Sequence, residues 1–389
     1  MKTKISFYQI FIFLIAFAIL AYIFYDFVNR RKMWVKEGML PNEPFYKEVS
    51  SEISSKEINS EELPSGISDL TKKSQTMELN QYIIKGSSNS AYSGKYISDE
   101  MVKYVLSRGC RFLDFEVYYL PISDDPPDTQ TFAAYVGYSS DPSSVNSTTQ
   151  NNYLFRKIFK ASLANGFTRQ SGEKYECPNP GDPLFIHIRI KTDDNRKKQL
   201  YDMIQSDIQS VYNNGYSDYF LMKTNNTTGE IESMLIVGNT LLNKLSKKVI
   251  IIFNYEPDEY IGTYHNMTSD SSQLMKYTYD ELNTFKYTAI PPKRLDSMRT
   301  TADKFKMAMP DSNRSNQPNP SIYNIIKNYG IQITLMQYHV ADLGLIRSET
   351  MFQQQGAGIM SMSSALNYIQ TNDDEKGNVP QIFPQLFTR

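Results

Sequence analysis

Residues 108–118 read Arg-Gly-Cys-Arg-Phe-Leu-Asp-Phe-Glu-Val-Tyr (RGCRFLDFEVY). Side chains alternate across a strand, so Asp114 and Glu116 fall on one face of this run. Outward from it, short β-rich runs recur at 81–85 (QYIIK), 131–137 (TFAAYVG), 184–191 (LFIHIRIK), 248–254 (KVIIIFN) and 332–338 (QITLMQY). Between them, 99–107, 153–165, 196–212 and 321–328 carry the apolar spacing of amphipathic helices. Strand–helix alternation of this kind over residues 78–372 predicts an α/β barrel or a doubly wound sheet, and periodicity does not choose between them.

The order of the motifs resembles the catalytic domain of phosphatidylinositol-specific phospholipase C. Residues 82–90 (YIIKGSSNS) and 108–118 look like that family's two opening signatures: a first strand ending in Ser-His-Asn-Thr, then Arg-Gly-Cys-Arg, two residues, and Glu-x-Asp. AAYVGYS at 133–139 and PLFIHIR at 183–189 continue the series. NPSIYNIIKNYGIQITLMQY at 319–338 and FQQQGAGIM at 352–360 are similar to its closing strand and Gly-rich turn. The resemblance implies a TIM-type (β/α)8 barrel of the phospholipase C-like phosphodiesterase kind over 78–372, with its site at the C-terminal ends of the strands.

In that family one histidine is the general base on the inositol 2-hydroxyl and a second donates to the phosphate or leaving group. A calcium ion held by an Asn, a Glu, an Asp and a fourth-strand acid offsets the developing charge. Laid on the motif, the first histidine position is Ser88, whose hydroxyl has no useful proton affinity near pH 7, and the second is Val136, which transfers no proton. Asn89, Asp114 and Glu116 keep a vestige of the calcium site, but the fourth-strand acid aligns with Arg189. An arginine repels the cation and removes a ligand, so no metal or other cofactor is expected. Bidentate pairing suits Arg189 to take the metal's place between Asp114 and Glu116. The family's phosphate-binding lysines fall near Ile252 and Asn254, and its inositol contacts near Met307 and Met309. His187 shares a face with Arg189 one layer deeper and reads as a core histidine, whereas His339, just past the 332–338 strand, is placed to reach the mouth.

The resemblance, with these losses, predicts a catalytically inactive barrel whose ligand-binding set is Asn89, Asp114, Glu116 and Arg189. It would bind a phosphoinositide headgroup or a protein, or serve as a structural membrane component. The alternative is an active, metal-independent phosphoric diester hydrolase using Arg189 and His339. No Gly-rich phosphate loop, HExxH, paired CxxC or GxSxG offers another chemistry.

Residues 5–25 (ISFYQIFIFLIAFAILAYIFY) would make a helix about 31 Å long, which matches a bilayer's hydrocarbon layer. Bulky residues and the cluster Arg30, Arg31, Lys32 follow it instead of a small-residue cleavage site. That predicts an uncleaved transmembrane anchor over 5–27 and a single-pass membrane protein of undetermined orientation. The Ser-, Glu- and Lys-rich stretch 37–76 reads as a solvated linker, and 373–389 as a tail. Across the 389 residues, 41 basic and 42 acidic side chains nearly cancel, leaving no field to attract nucleic acid. Two cysteines exclude a disulfide framework, so the fold stands on packing.

Overall fold

The computed structural model describes residues 43–56, 66–71, 76–122, 131–141, 144–169, 172, 174–224, 231–233, 240–253, 274–278, 305–310 and 317–373. By their contacts, Met1–Glu48 and Val49–Arg389 form separate units. Of the first, only 43–48, the opening of one helix, is described.

The elements run α1 (Glu43–Lys56), β1 (Tyr82–Ser87), α2 (Asp99–Ser107), β2 (Phe112–Pro121), β3 (Phe132–Gly137), β4 (Tyr153–Leu154), α3 (Phe155–Gly166), β5 (Leu184–Lys191) and α4 (Lys197–Val211). They continue with β6 (Met222–Thr224), β7 (Ile231–Ser233), β8 (Val249–Phe253), β9 (Leu274–Thr278), β10 (Phe305–Met309), α5 (Ile322–Tyr329), β11 (Ile333–Met336), α6 (Leu343–Gln354), β12 (Ile359–Ser361) and α7 (Met362–Asp373). Local chemistry sets several boundaries. Ser98 Oγ accepts from the Met101 amide to start α2, with Asp99 and Glu100 in its first turn. Asp342 caps α6 through the Leu345 amide, and Gly330, at φ 60°, ends α5 in the left-handed conformation that glycine adopts freely.

Strand order establishes a barrel-type α/β fold. β8, β5, β2, β1, β11, β10 and β9 form one parallel row in which the first strand, β1, lies between β2 and β11. A first strand flanked by the second and the last is the order of barrel staves. Eight parallel strands were expected; among the described residues there are seven, and none of their pairings joins β8 to β9. β1 and β2 pair over only two residues. Antiparallel β12 continues the seam below, along Tyr82–Ile84, and antiparallel β3 continues it above, from Glu116 on.

The register stacks the interior in layers. Ile84, Ile333 and Met307 lie side by side, then Phe112, Phe185, Ile250 and Leu335, all within one apolar cluster. Above them Asp114 is opposite His187, and Glu116 opposite Arg189. The apolar floor stabilises the fold, at about 25 cal/mol per Å² buried, and sets the polar layer at the C-terminal end of the strands.

Two expectations from the N-terminal region change. Among the described residues no helix is long and apolar enough to cross a membrane, which overturns the single-pass membrane location; the segment 5–27 itself lies outside the described residues. Within 37–76, taken as a solvated linker, the chain forms α1, and Val49 and Ile53 are 1% exposed. Their i, i+4 spacing gives the helix one apolar stripe between charged residues. Beyond Asp373, the tail expected at 373–389 lies outside the described residues.

Candidate functional site

The Arg-Gly-Cys-Arg turn that opens β2 is a structural device in all four residues. Arg108 pairs with Glu349 of α6 through Nε (2.9 Å) and Nη2 (2.7 Å). Gly109 sits at φ 80°, and its carbonyl is so close to Gly358 that a Cβ there would collide with it. Cys110 donates to the Tyr338 hydroxyl at 2.9 Å, and burial pushes its thiol up to about 12. Arg111, fully buried, donates to the carbonyls of Pro183 (3.0 Å), Gly166 (2.8 Å) and Asp182. The turn thereby pins the N-terminal end of β2 and fixes where Asp114 and Glu116 emerge.

A few residues into β2, Arg189 gathers the predicted ligand set. Its Nε donates to Asp114 Oδ1 (2.9 Å) and its Nη1 to Glu116 Oε1 (2.6 Å). Its Nη2 donates to both Asp114 Oδ2 and Asn89 Oδ1, each at 2.8 Å. Asn89 stands at φ 44°, the left-handed region that asparagine tolerates better than most residues. From there its amide donates to Asp114 Oδ2 at 3.0 Å. Burial opposes ionisation of Asp114, but the charge of Arg189 and the hydrogen bonds of His187 and Arg189 outweigh it and hold the carboxyl well below its usual range. His187 Nδ1 lies 2.7 Å from Asp114 Oδ1. Because Asp114 is ionised, Nδ1 carries the proton and donates, which makes His187 the core histidine the sequence suggested.

Glu116 is enclosed as fully. Tyr118 donates to its Oε2 at 2.6 Å, the Ser139 amide donates to the same oxygen at 3.1 Å, and Lys191 Nζ lies 3.8 Å from Oε1. Two carboxylates therefore face two cations, and the cluster is neutral without a metal. Arg189 is 7% exposed, Asp114 0% and Glu116 2%, so these three are sealed from water, and the partly buried Lys191 completes the charge balance at their edge.

The remaining predicted residues are dispersed. Ser88 is buried at the end of β1, its amide donating to Met336 O at 2.9 Å. Val136 does not join the cluster. It pairs with Val117, whereas Gly137 pairs with Glu116, so Val136 belongs to the opposite face of the sheet. His339 is 6% exposed, with its ring edge-on to Tyr92 (4.8 Å between centroids) and 6.3 Å from Tyr138. Tyr92 and Tyr138 stack at 4.2 Å. Tyr138 directly precedes Ser139, whose amide binds Glu116, which sets this aromatic group beside the cluster. Burial and then the Glu116 carboxylate raise the Tyr138 phenol. Met307 belongs to the apolar core, Met309 packs against it, and Ile252 is buried in β8. Asn254 lies outside the described residues. Sequence reasoning missed Tyr118 and Lys191, although each lies two residues beyond a recognised member and so on the same strand face.

No family model and no curated protein matches the sequence. Among solved structures, the chain is similar to PLC21 of L. pealei at 14% identity and a TM-score of 0.48, over 74% of this chain and 37% of that one. It thus spans little more than a third of that protein's length. It is similar to a calcium-dependent phosphoinositol-specific phospholipase C of a Pseudomonas species at 10% identity and a TM-score of 0.41, over 77% of this chain and 99% of the other. The phosphatidylinositol-specific phospholipase C of Listeria monocytogenes is similar at 13% identity and a TM-score of 0.39, over 77% and 95%. The barrel-type fold rests on the strand order above; what the chain is similar to, at low identity, is phosphatidylinositol-specific phospholipase C.

Proposed function

We propose that this chain is a phospholipase C-like barrel that turns over no substrate and acts by binding, its partner being a phosphoinositide headgroup or a protein. One observation carries the reading: the Arg189 guanidinium donates to Asn89, Asp114 and Glu116 together. These are the oxygens that the resemblance would assign to calcium. The residues present do not fit that ion. A divalent cation among the three would lie against a guanidinium that uses the same lone pairs, and dislodging Arg189 would strand a buried charge. Ser88 and Val136 supply no general base or acid, and each such group is worth about 10²–10⁴-fold in rate.

The test is release of inositol phosphate from phosphatidylinositol vesicles by the full chain, with calcium and with chelator. Rates at background in both are expected from a folded sample. Turnover that survives the chelator and disappears in His339→Ala would replace this reading with a metal-independent phosphodiesterase.

A further inference from the structure

We propose that the C-terminal half of α1, from Val49 on, is a strap that holds the loop after β1 shut over the Arg189 cluster, and that its undocking opens the mouth of the barrel. The loop begins at Asn89, which is also an acceptor for Arg189. The Tyr92 amide donates to Asn89 O at 2.8 Å, and its ring then lies on Tyr138 and against His339. Tyr138 leads in turn to Ser139, whose amide is bound to Glu116. A single short stretch of chain therefore joins the polar cluster to the aromatic group that covers it.

The strap meets this loop at the next residue. Ser93 Oγ donates to Glu52 Oε2 at 2.7 Å. Val49, Glu52 and Ile53 share one helical face, and both aliphatic members are 1% exposed. Two residues along, Lys174 Nζ donates to Ser54 Oγ at 3.0 Å, a second hold on the same helix. Glu52 also raises the Tyr92 phenol, after burial and Tyr138, so its charge is felt at the ring itself. Helix and aromatic lid are joined by hydrogen bonds. The loop is pinned to β2 at Ser90, through Asp114 O (2.8 Å) and the Asp114 amide (3.0 Å), and to Asn151 at Ile97 (2.8 Å). The stretch that moves with the strap lies between these pins. Closure is then a local equilibrium separable from unfolding of the barrel. The inference concerns access to the cluster and stands whether or not the barrel turns over substrate, so its readout is reagent access.

The experiment is site-resolved carbethoxylation of the histidines in the full chain, read by mass spectrometry. In the wild type His339 and His187 both react slowly. In Val49→Asp/Ile53→Asp, His339 reacts faster while His187 stays protected. Each buried aliphatic removed shifts docking by roughly ten- to a hundredfold. An unchanged His339 rate, in a variant whose residues 49–56 exchange amide hydrogens rapidly, would overturn the proposal. A joint rise of both histidines reports unfolding and passes the decision to Ser93→Ala, which removes the bond to Glu52 together with the hydroxyl's longer local bonds to the Tyr96 carbonyl and amide. There a rise of about tenfold at His339 alone is expected, from loss of a hydrogen bond to a charged acceptor, and no rise would overturn the proposal.

Discussion

Replacing Arg189 with alanine lowers the stability of the full chain by about 3–5 kcal/mol, the usual cost of removing one partner from a buried ion pair. The loss has a specific pH signature. In the wild type the Asp114 carboxyl is held below its ordinary value, so its contribution is present above about pH 4 and fades as pH falls through the folded value. Without Arg189, burial is left to dominate and the carboxyl moves up. The folded variant then binds a proton that the unfolded chain releases, and its stability declines as pH rises. Urea unfolding at pH 5 and pH 8 therefore shows the larger deficit at pH 8. Replacing the set by neutral groups, Arg189→Met with Asp114→Asn and Glu116→Gln, recovers part of the loss, because the two buried carboxylates are no longer stranded, although Lys191 then loses Glu116. A deficit below about 1 kcal/mol, equal at both pH values, would match a surface ion pair and contradict the sealed cluster.

The second large effect lies on the outer side of β1. Glu349, fully buried on α6, accepts from Arg108 through Oε2 and from Lys85 and Tyr338 through Oε1, at 2.7 and 2.6 Å. Burial works against its ionisation, yet Lys85 and Arg108 bring the carboxyl down from 4.5 to about 2. Glu349→Gln strands two buried cations instead of one. The expected loss is at least the roughly 3–5 kcal/mol of a broken buried pair. The sign follows from the depressed value. Glu349 stabilises fully above about pH 4.5, and its contribution is lost as pH falls toward about 2. Thermal melts from pH 7 to pH 2.5 thus show a wild-type Tm that falls steeply below about pH 4.5. The gap to the variant is widest at pH 7 and narrows with acid. Parallel curves would mean that Glu349 is not ionised in the folded protein.

How far these features are legible in the sequence differs by element. The run LFIHIRIK coincides with β5, and 99–107 with α2, because each carries an unbroken local pattern: continuous β-formers in one, a Ser cap and apolar spacing in the other. The meeting of Arg189 with Asp114 and Glu116 was also legible, since alternation assigns all three to inward positions of two strands. The register that sets Glu116 opposite Arg189 was not, and neither was the register that turns Val136 away from the site.

Helix α6 was hidden for a different reason. Ser348, Glu349, Thr350 and Gln353 are buried alongside its apolar residues, so no 3.6-residue stripe marks it. The partner that explains Glu349 stands 241 residues earlier. Helix α1 was missed because its two buried aliphatics are surrounded by Ser, Glu and Lys. Such a stretch reads as a linker until Glu52 is seen to hold Ser93. His339 lies just past β11, and the aromatic rings around it come from the loops after β1 and β3, which periodicity does not position.

The most direct test of the central claim is a crystal structure of the full chain grown with millimolar calcium and inositol phosphate. The account predicts Arg189 seated among Asn89, Asp114 and Glu116, with no cation between them. A cation coordinated by those three side chains, with the guanidinium turned out of the barrel, would contradict it.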